Sequence, residues 1–477
     1  MARRTKIMAT VGPACDSPEQ LRALVEAGMD VARLGFAHGT PEGHLQTLGR
    51  IRDAAAACGR VVGVLADLPG PKLRTGQFPE DGILLAVGDR VDVVAGTGPS
   101  SPHRITVDHP ALLDDLGVGD CLALGDGAVV LEVERTTVGG VVAVANSGGW
   151  LQGRPGLRLP AGRNRVSGPT ASDLDLLRLV TAAGFDMVAI SFVQSADDVL
   201  RARQAAGPGG PLIVAKIETR GAVDDLARII DVADAVMIAR GDLGVECAIE
   251  EVPHLQKRII RTCVQWGRPV ITATQMLESM VHSPAPTRAE ASDIANAVFD
   301  GTDALMLSAE TAIGRDPAEA VRTMARIATT AEREADYVQW GGRLGKLQRL
   351  EPVDGSLAIT AATSMAAWQV ALTVDAAAIL CCTRSGATAR AIARFRPTAP
   401  LIGLSPSPAT AGQLTVSWGV LPVTVPEYGS IDDMIWFATK LVVDMGLARN
   451  GDNLVVLAGK PDDPDPIIDN LRVVRVR

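Results

Sequence analysis

The chain has almost no tyrosine: 2 Tyr, 7 Phe and 6 Trp occur in 477 residues. That removes the aromatic platforms on which single-stranded nucleic acid stacks. It also lacks an excess of positive charge. With 46 Lys and Arg against 55 Asp and Glu, the net charge of −9 argues against nucleic acid or an anionic membrane as the main partner. None of the 7 cysteines forms a Cys-x-x-Cys pair or joins a His/Cys cluster of zinc spacing. Cys381 and Cys382, adjacent in an apolar run, read as buried reduced thiols. No stretch approaches the roughly 20 apolar residues of a membrane span. The basic start "MARRTKIMATVGPAC" has too short an apolar stretch for a signal peptide. A cytoplasmic protein is expected, with no nucleic acid and no membrane as partner.

What is present is alternation. The length exceeds what one hydrophobic core serves, so several domains are expected. Residues 212–243 organise the rest. Leu212–Ala215 and Ala235–Ala239 read as buried parallel strands, and the segment between them has helical period, with Val223, Leu226, Ile229 and Ile230 on one face. Such a β-α-β unit brings both strand ends to one sheet edge. There the first strand delivers Lys216 and Glu218, and the second Arg240, Gly241 and Asp242. Two carboxylates with a lysine between them suit a divalent metal and an anionic phosphoryl group. A structural ion pair is the competing reading of such a group taken alone.

The same rhythm runs from the start: "KIMATVG", "DVARLGF" and "VVGVLADL" read as strands, the first followed by a helix opened at Asp16-Ser17-Pro18. It breaks between about Thr75 and Arg165, where short Val-rich alternating runs indicate a small all-β insertion. It resumes with "DMVAISF" and continues through "PVITATQ" and "ALMLSAE". Eight strands imply a closed parallel (β/α)8 barrel with its active site at the C-terminal strand ends. The expected division is a barrel of residues 1–70 and 166–343, an inserted β lid of 71–165, and a C-terminal open α/β domain of 344–477. In the last, "CTRSGATARAI" sets Thr383, Ser385, Gly386 and Thr388 between a strand and a helix N-terminus. That turn is either a phosphate site or a simple cap.

The stretches "RTKIMATVGPA", "GMDVARLGFAHG", "GPKLRTG", "AKIE", "ARGDLGVE" and "ATQMLESMVHSPAPTRAEASDIANAVFDGTDALMLSAETA" resemble the pyruvate kinase family along nearly the whole chain. The resemblance implies Mg²⁺-dependent (or Mn²⁺-dependent) phosphoryl transfer from phosphoenolpyruvate to ADP, giving pyruvate and ATP, in a homotetramer. It implies Glu218 and Asp242 as metal carboxylates, Lys216 as the catalytic lysine and Arg33 as the phosphate grip. Arg240, Gly241 and Thr274 would lie around the substrate, with Arg74 and His38 on the ADP side. Departures from the family carry expectations of their own. Gly35 and Ala37 replace an Asn and a Ser that ligate K⁺ in potassium-requiring members, and the "DT" pair reads Asp67-Leu68. Activity without K⁺ is expected, with Lys72 in the cation's place. Ser172 stands where a lysine near the nucleotide phosphates is usual, and Gly125-Asp126-Gly127 replaces an acidic pair in the lid. Weak nucleotide binding is one consequence. An alternative is a metal-dependent lyase or decarboxylase acting on a 2-oxo acid through the same enolate site. A non-catalytic metabolite sensor is a third reading. The acidic loop "KPDDPDPIIDN" disfavours a bisphosphate effector, so a monophosphate, a sugar phosphate or AMP, is expected at Thr383–Thr388.

Overall fold

The computed structural model describes residues 3–71, 73–107, 113, 116–125, 129–158, 168–350, 356–459 and 470–477. Lys72, Asp126-Gly127 and residues 460–469, on which three of the expectations above fall, lie outside them.

Eight parallel strands close into a barrel: β1 (Lys6–Thr10), β2 (Val31–Gly35), β3 (Gly63–Asp67), β4 (Met187–Ile190), β5 (Leu212–Ile217), β6 (Ala235–Ala239), β7 (Val270–Ala273) and β8 (Ala304–Leu307). Each pairs with its neighbour in sequence. β8 closes on β1, with Lys6 opposite Ala304. Every β3 and β6 position is buried, because helices cover the outside while side chains fill the inside. Met8, Met187, Met237 and Met306 occupy that interior with Leu65, Val214 and Ile271, so the barrel is packed rather than hollow.

Helix ends follow local chemistry. Ser17 accepts from the Gln20 N–H with Pro18 in the first turn, as the sequence indicates, and Gly28 closes the same helix at φ 116°. The expected helix between β5 and β6 is two, Arg220–Asp224 and Leu226–Val232, which meet at Asp225. Val223, Leu226, Ile229 and Ile230 are nonetheless all buried against the barrel.

The lid leaves after β3 and returns before β4. It holds a six-stranded sheet and a two-stranded one, closed over Phe78, Val93, Ile105, Leu122 and Leu131. The C-terminal domain is an open sheet of four parallel strands, in the order Val420–Thr424, Leu401–Ser405, Ala378–Cys382 and Asn453–Ala458. An antiparallel edge strand, Asn470–Arg475, which the sequence reading omitted, completes it. Helix Ile431–Asp444 is a further addition, and helix Tyr337–Leu350 runs across the expected 343/344 boundary. Cys381 and Cys382 are buried and free. Among the described residues, no helix is long and apolar enough to cross a membrane.

Candidate active site

The C-terminal ends of consecutive barrel strands supply the polar groups, as barrel geometry requires. Lys216, near the end of β5, is the hub. Its Nζ donates to Ser191 Oγ at 2.8 Å and lies 3.3 Å from Glu218 Oε2 and 3.5 Å from Asp67 Oδ1. Asp67, the last residue of β3, also holds Arg33 from the middle of β2: Nε and Nη2 approach its Oδ2 at 2.8 and 2.7 Å. Arg33 Nη1 donates to Thr10 Oγ1 at the end of β1 at 2.9 Å. Five adjacent strands and loops thus converge through one buried carboxylate.

The electrostatics follow from burial. Burial disfavours the Lys216 ammonium, but Asp67, Glu218 and Asp242 outweigh that cost and hold its pKa above the ordinary lysine value. Lys216 is therefore a fixed cation. Glu218 is fully buried, and burial pushes its pKa up to about 7, with the negative charge of Asp242 adding to the rise and Lys216 opposing it. Its Oε1 accepts from the Phe192 N–H at 2.6 Å, while Oε2 accepts no hydrogen bond. A buried carboxylate oxygen that accepts no hydrogen bond, beside the Lys216 ammonium and in the field of a second carboxylate, suits a hard divalent cation. Among the described residues no three His, Cys, Asp or Glu side chains form a metal cluster.

Backbone conformation sharpens the rim. Phe192 (φ 56°), Thr274 (φ 67°) and Gln275 (φ 54°) adopt left-handed conformations just past β4 and β7, each at a cost of about 1–3 kcal/mol. The turn after β7 aims Thr274 Oγ1 at the Gly241 N–H, 2.9 Å away. Thr274 and Gly241 are therefore neighbours.

Arg240, expected in the catalytic set, directs its guanidinium to neighbouring protein groups. Its Nη1 pairs with Asp293 at 2.6 Å, and Nη2 and Nε donate to the Thr274 and Ala273 carbonyls at 2.6 and 3.2 Å. It braces the strained turn that presents Thr274. His38 is exposed on the loop after β2. Arg74 sits at the root of the lid, bridged to Gly156 and donating to the Arg154 carbonyl at 3.1 Å. Ser172 Oγ lies 3.0 Å from Thr170 Oγ1 within a helix cap, and the adjacent Asp173 accepts from the Gly70 N–H, tying the lid's two ends together.

The loop after Cys382 lies in the separate C-terminal domain. There Thr383 Oγ1 accepts from the Gly386 N–H at 2.9 Å and Ser385 Oγ from the Ala387 N–H at 3.4 Å. Thr388 is buried behind them. Two backbone donors of the turn are thus met by its own hydroxyls. Sequence reasoning missed Ser191 and Thr10, although both end or follow a barrel strand, the criterion that singled out Lys216.

Comparison with known proteins agrees with the fold. Residues 2–321 match the family model "Pyruvate kinase, barrel domain", and residues 361–474 match "Pyruvate kinase, alpha/beta domain". The chain is 41% identical over 466 residues to a pyruvate kinase of Geobacillus stearothermophilus, covering 97% of this chain and 78% of the relative. It is also 41% identical over 460 residues to one of Methylorubrum extorquens, covering 96% and 95%, and 40% identical over 465 residues to one of Bacillus licheniformis, covering 96% and 78%.

Proposed function

The chain belongs to the pyruvate kinase family, and from that premise we propose that it transfers the phosphoryl group of phosphoenolpyruvate to ADP without requiring K⁺. The observation that carries the reading is the junction of Lys216, Glu218, Asp67 and Arg33 at the strand ends.

Glu218 and Asp242 would hold Mg²⁺ or Mn²⁺, and such an ion, when bound, supplies Lewis-acid stabilisation of negative charge on substrate oxygens. Lys216 keeps its proton because three carboxylates surround it, so it neutralises the phosphoryl oxygens during transfer rather than acting as a base. Arg33, fixed on two sides by Asp67 and Thr10, grips the phosphate with a guanidinium that needs no reorganisation. The Gly241 backbone and Thr274 hydroxyl would orient the substrate carboxylate by exchanging the hydrogen bonds they make without it, Gly241 N–H to Thr274 Oγ1 and the Thr274 hydroxyl to the Ala273 carbonyl. Arg74 and His38 would meet the nucleotide as the lid swings over, with residues 1–70 and 166–343 as barrel and 71–165 as lid.

Independence from K⁺ rests on the lost oxygen side chains at Gly35, Ala37 and Leu68. The ground beside Gly35 is already positive: a Cβ built there would lie 3.8 Å from an Arg33 guanidinium nitrogen. A homotetramer and a monophosphate effector at Thr383–Thr388 belong to the same proposal, the effector having to displace the turn's internal hydrogen bonds.

The metal assignment is tested by Mn²⁺ titration followed by electron paramagnetic resonance. Glu218→Gln should weaken Mn²⁺ binding at least about tenfold with the fold intact. Equal affinity in both proteins would remove Glu218 from the metal site.

A further inference from the structure

Thr274 and Gln275 stand consecutively in the left-handed region, at φ 67° and 54°. For a β-branched residue such as Thr274 this conformation is an outlier, and it persists only where the surroundings over-determine it. Two charged side chains do so. At the far end of the turn, the fully buried Glu310 accepts from the Leu277 N–H at 3.0 Å. At the near end, the Arg240 guanidinium meets three successive carbonyls. Its Nε donates to Ala273 at 3.2 Å, and its Nη2 to Thr274 at 2.6 Å and Gln275 at 3.4 Å.

The third nitrogen of the fork faces away from the turn. Arg240 Nη1 donates to Asp293 Oδ2 at 2.6 Å and to Gln256 Oε1 at 3.4 Å. Asp293 belongs to helix Arg288–Asp300 and Gln256 to helix Val252–Trp266, both outside the barrel wall. The Arg240 side chain is 12% exposed and that of Asp293 37%, so a carboxylate reaches in from the surface to a nearly buried cation. Carbonyls occupy guanidinium donors but cancel no charge, whereas Asp293 does. The guanidinium is planar and rigid, so fixing Nη1 on Asp293 also fixes where Nε and Nη2 point.

One acceptor is shared. The buried Ala273 carbonyl accepts from the Thr274 hydroxyl at 2.7 Å as well as from Arg240 Nε. Its two lone pairs allow both bonds. If the Thr274 hydroxyl turns to a substrate, Ala273 keeps the arginine and is not left as an unpaired buried acceptor, which would be strongly unfavourable.

We propose that Asp293 is a positioning residue for phosphoenolpyruvate. It aims Arg240 so that the guanidinium holds both the strained turn and the Ala273 carbonyl, which leaves the Thr274 hydroxyl free to orient the substrate carboxylate. This rests on the kinase reading above, in which Thr274 meets that carboxylate.

Steady-state kinetics of wild type, Asp293→Asn, Thr274→Ala and the double variant test it. Asp293→Asn keeps the shape of the side chain and removes its charge. It should lower kcat/KM for phosphoenolpyruvate about 10–100-fold, with KM for ADP within about twofold of wild type. In the Thr274→Ala background the same change should cost less than about threefold, because the hydroxyl it positions is gone. Equal losses in the two backgrounds, or a KM for ADP that rises in step with that for phosphoenolpyruvate, would reveal a general structural role and overturn the proposal. Arg240→Lys keeps the charge without the fork and should show the same pattern, so it decides the matter if Asp293→Asn fails to fold. A wild type without turnover would sink the kinase reading rather than the brace. Hydrogen exchange of residues 273–277 then decides: faster exchange in Asp293→Asn than in wild type supports the positioning role, and equal rates overturn it.

Discussion

The Lys216 ammonium is the residue on which the account turns, because four side chains exist to hold it charged and aimed. Ser191, Asp67 and Glu218 contact it directly, and Asp242 adds to the field. Lys216→Met should lower kcat by about 10³-fold with little change in the melting temperature, since positioned charge is the main catalytic asset of phosphoryl transfer. Ser191→Ala removes one of several contacts and should cost about tenfold, the worth of one hydrogen bond to a charged group. Steady-state kinetics of both variants check the order of these effects. Asp30 has a different task, far from the chemistry. Burial would raise its pKa, but Arg3, Lys6 and Arg60, with the Ile7 N–H, hold it below the ordinary carboxylate value. A depressed pKa contributes stability that is fully present above about pH 4 and is lost as pH falls through the folded value. Asp30→Asn should therefore cost about 3 kcal/mol at pH 7, with the gap from wild type narrowing below pH ~4. Denaturant melts at several pH values measure that gap, and a gap constant with pH would contradict the assignment.

At the scale of elements, packing explains both what the sequence discloses and what it conceals. The eight barrel strands are legible because a strand covered on both faces is a continuous apolar run, as in Ala235–Ala239. The edge strand Asn470–Arg475 is not. It lies mostly exposed at the rim of its sheet, carries Arg472 and Arg475 around two adjacent valines, and owes its existence to pairing with Asn453–Ala458. Lys216 and Glu218 stand together at the end of one strand, Leu212–Ile217, and so could be read directly. Its partners Asp67 and Ser191 come from two other strands, and only closure of the barrel brings them within reach. The partners of Arg240 are hidden for a related reason: its neighbour Asp293 lies 53 residues away, and nothing local tells a brace from a ligand. One contact between elements makes a direct test. A Cβ on Gly63, at the start of β3, would lie 2.2 Å from Thr415 Oγ1, 2.6 Å from the Gly412 carbonyl and 2.9 Å from Met187 Cε. Gly63→Ala should thus wedge the C-terminal domain from the barrel and cost about 1–3 kcal/mol, read from the denaturant midpoint. An unchanged midpoint would mean that this seam yields freely.

On the scale of the whole molecule, the two ends of the barrel divide the labour. The C-terminal strand ends gather a fixed cation, a strained turn and two carboxylates under a lid whose base is tied by Asp173 and Gly70. The opposite end seats the C-terminal domain through the buried pair of Arg396 and Asp303. The family supplies the reaction, while this chain's own residues supply the departure from it, since Gly35, Ala37 and Leu68 offer no side-chain oxygen to a monovalent cation. The most direct measurement is pyruvate release from phosphoenolpyruvate and ADP with Mg²⁺, in Tris or sodium buffers free of K⁺. The account predicts full turnover there and no more than a marginal increase when K⁺ is added. Turnover that appears only with K⁺ would contradict the loss of the potassium site. No turnover in either buffer, with Mn²⁺ binding intact, would contradict the kinase step itself and turn attention to the lyase or decarboxylase alternative.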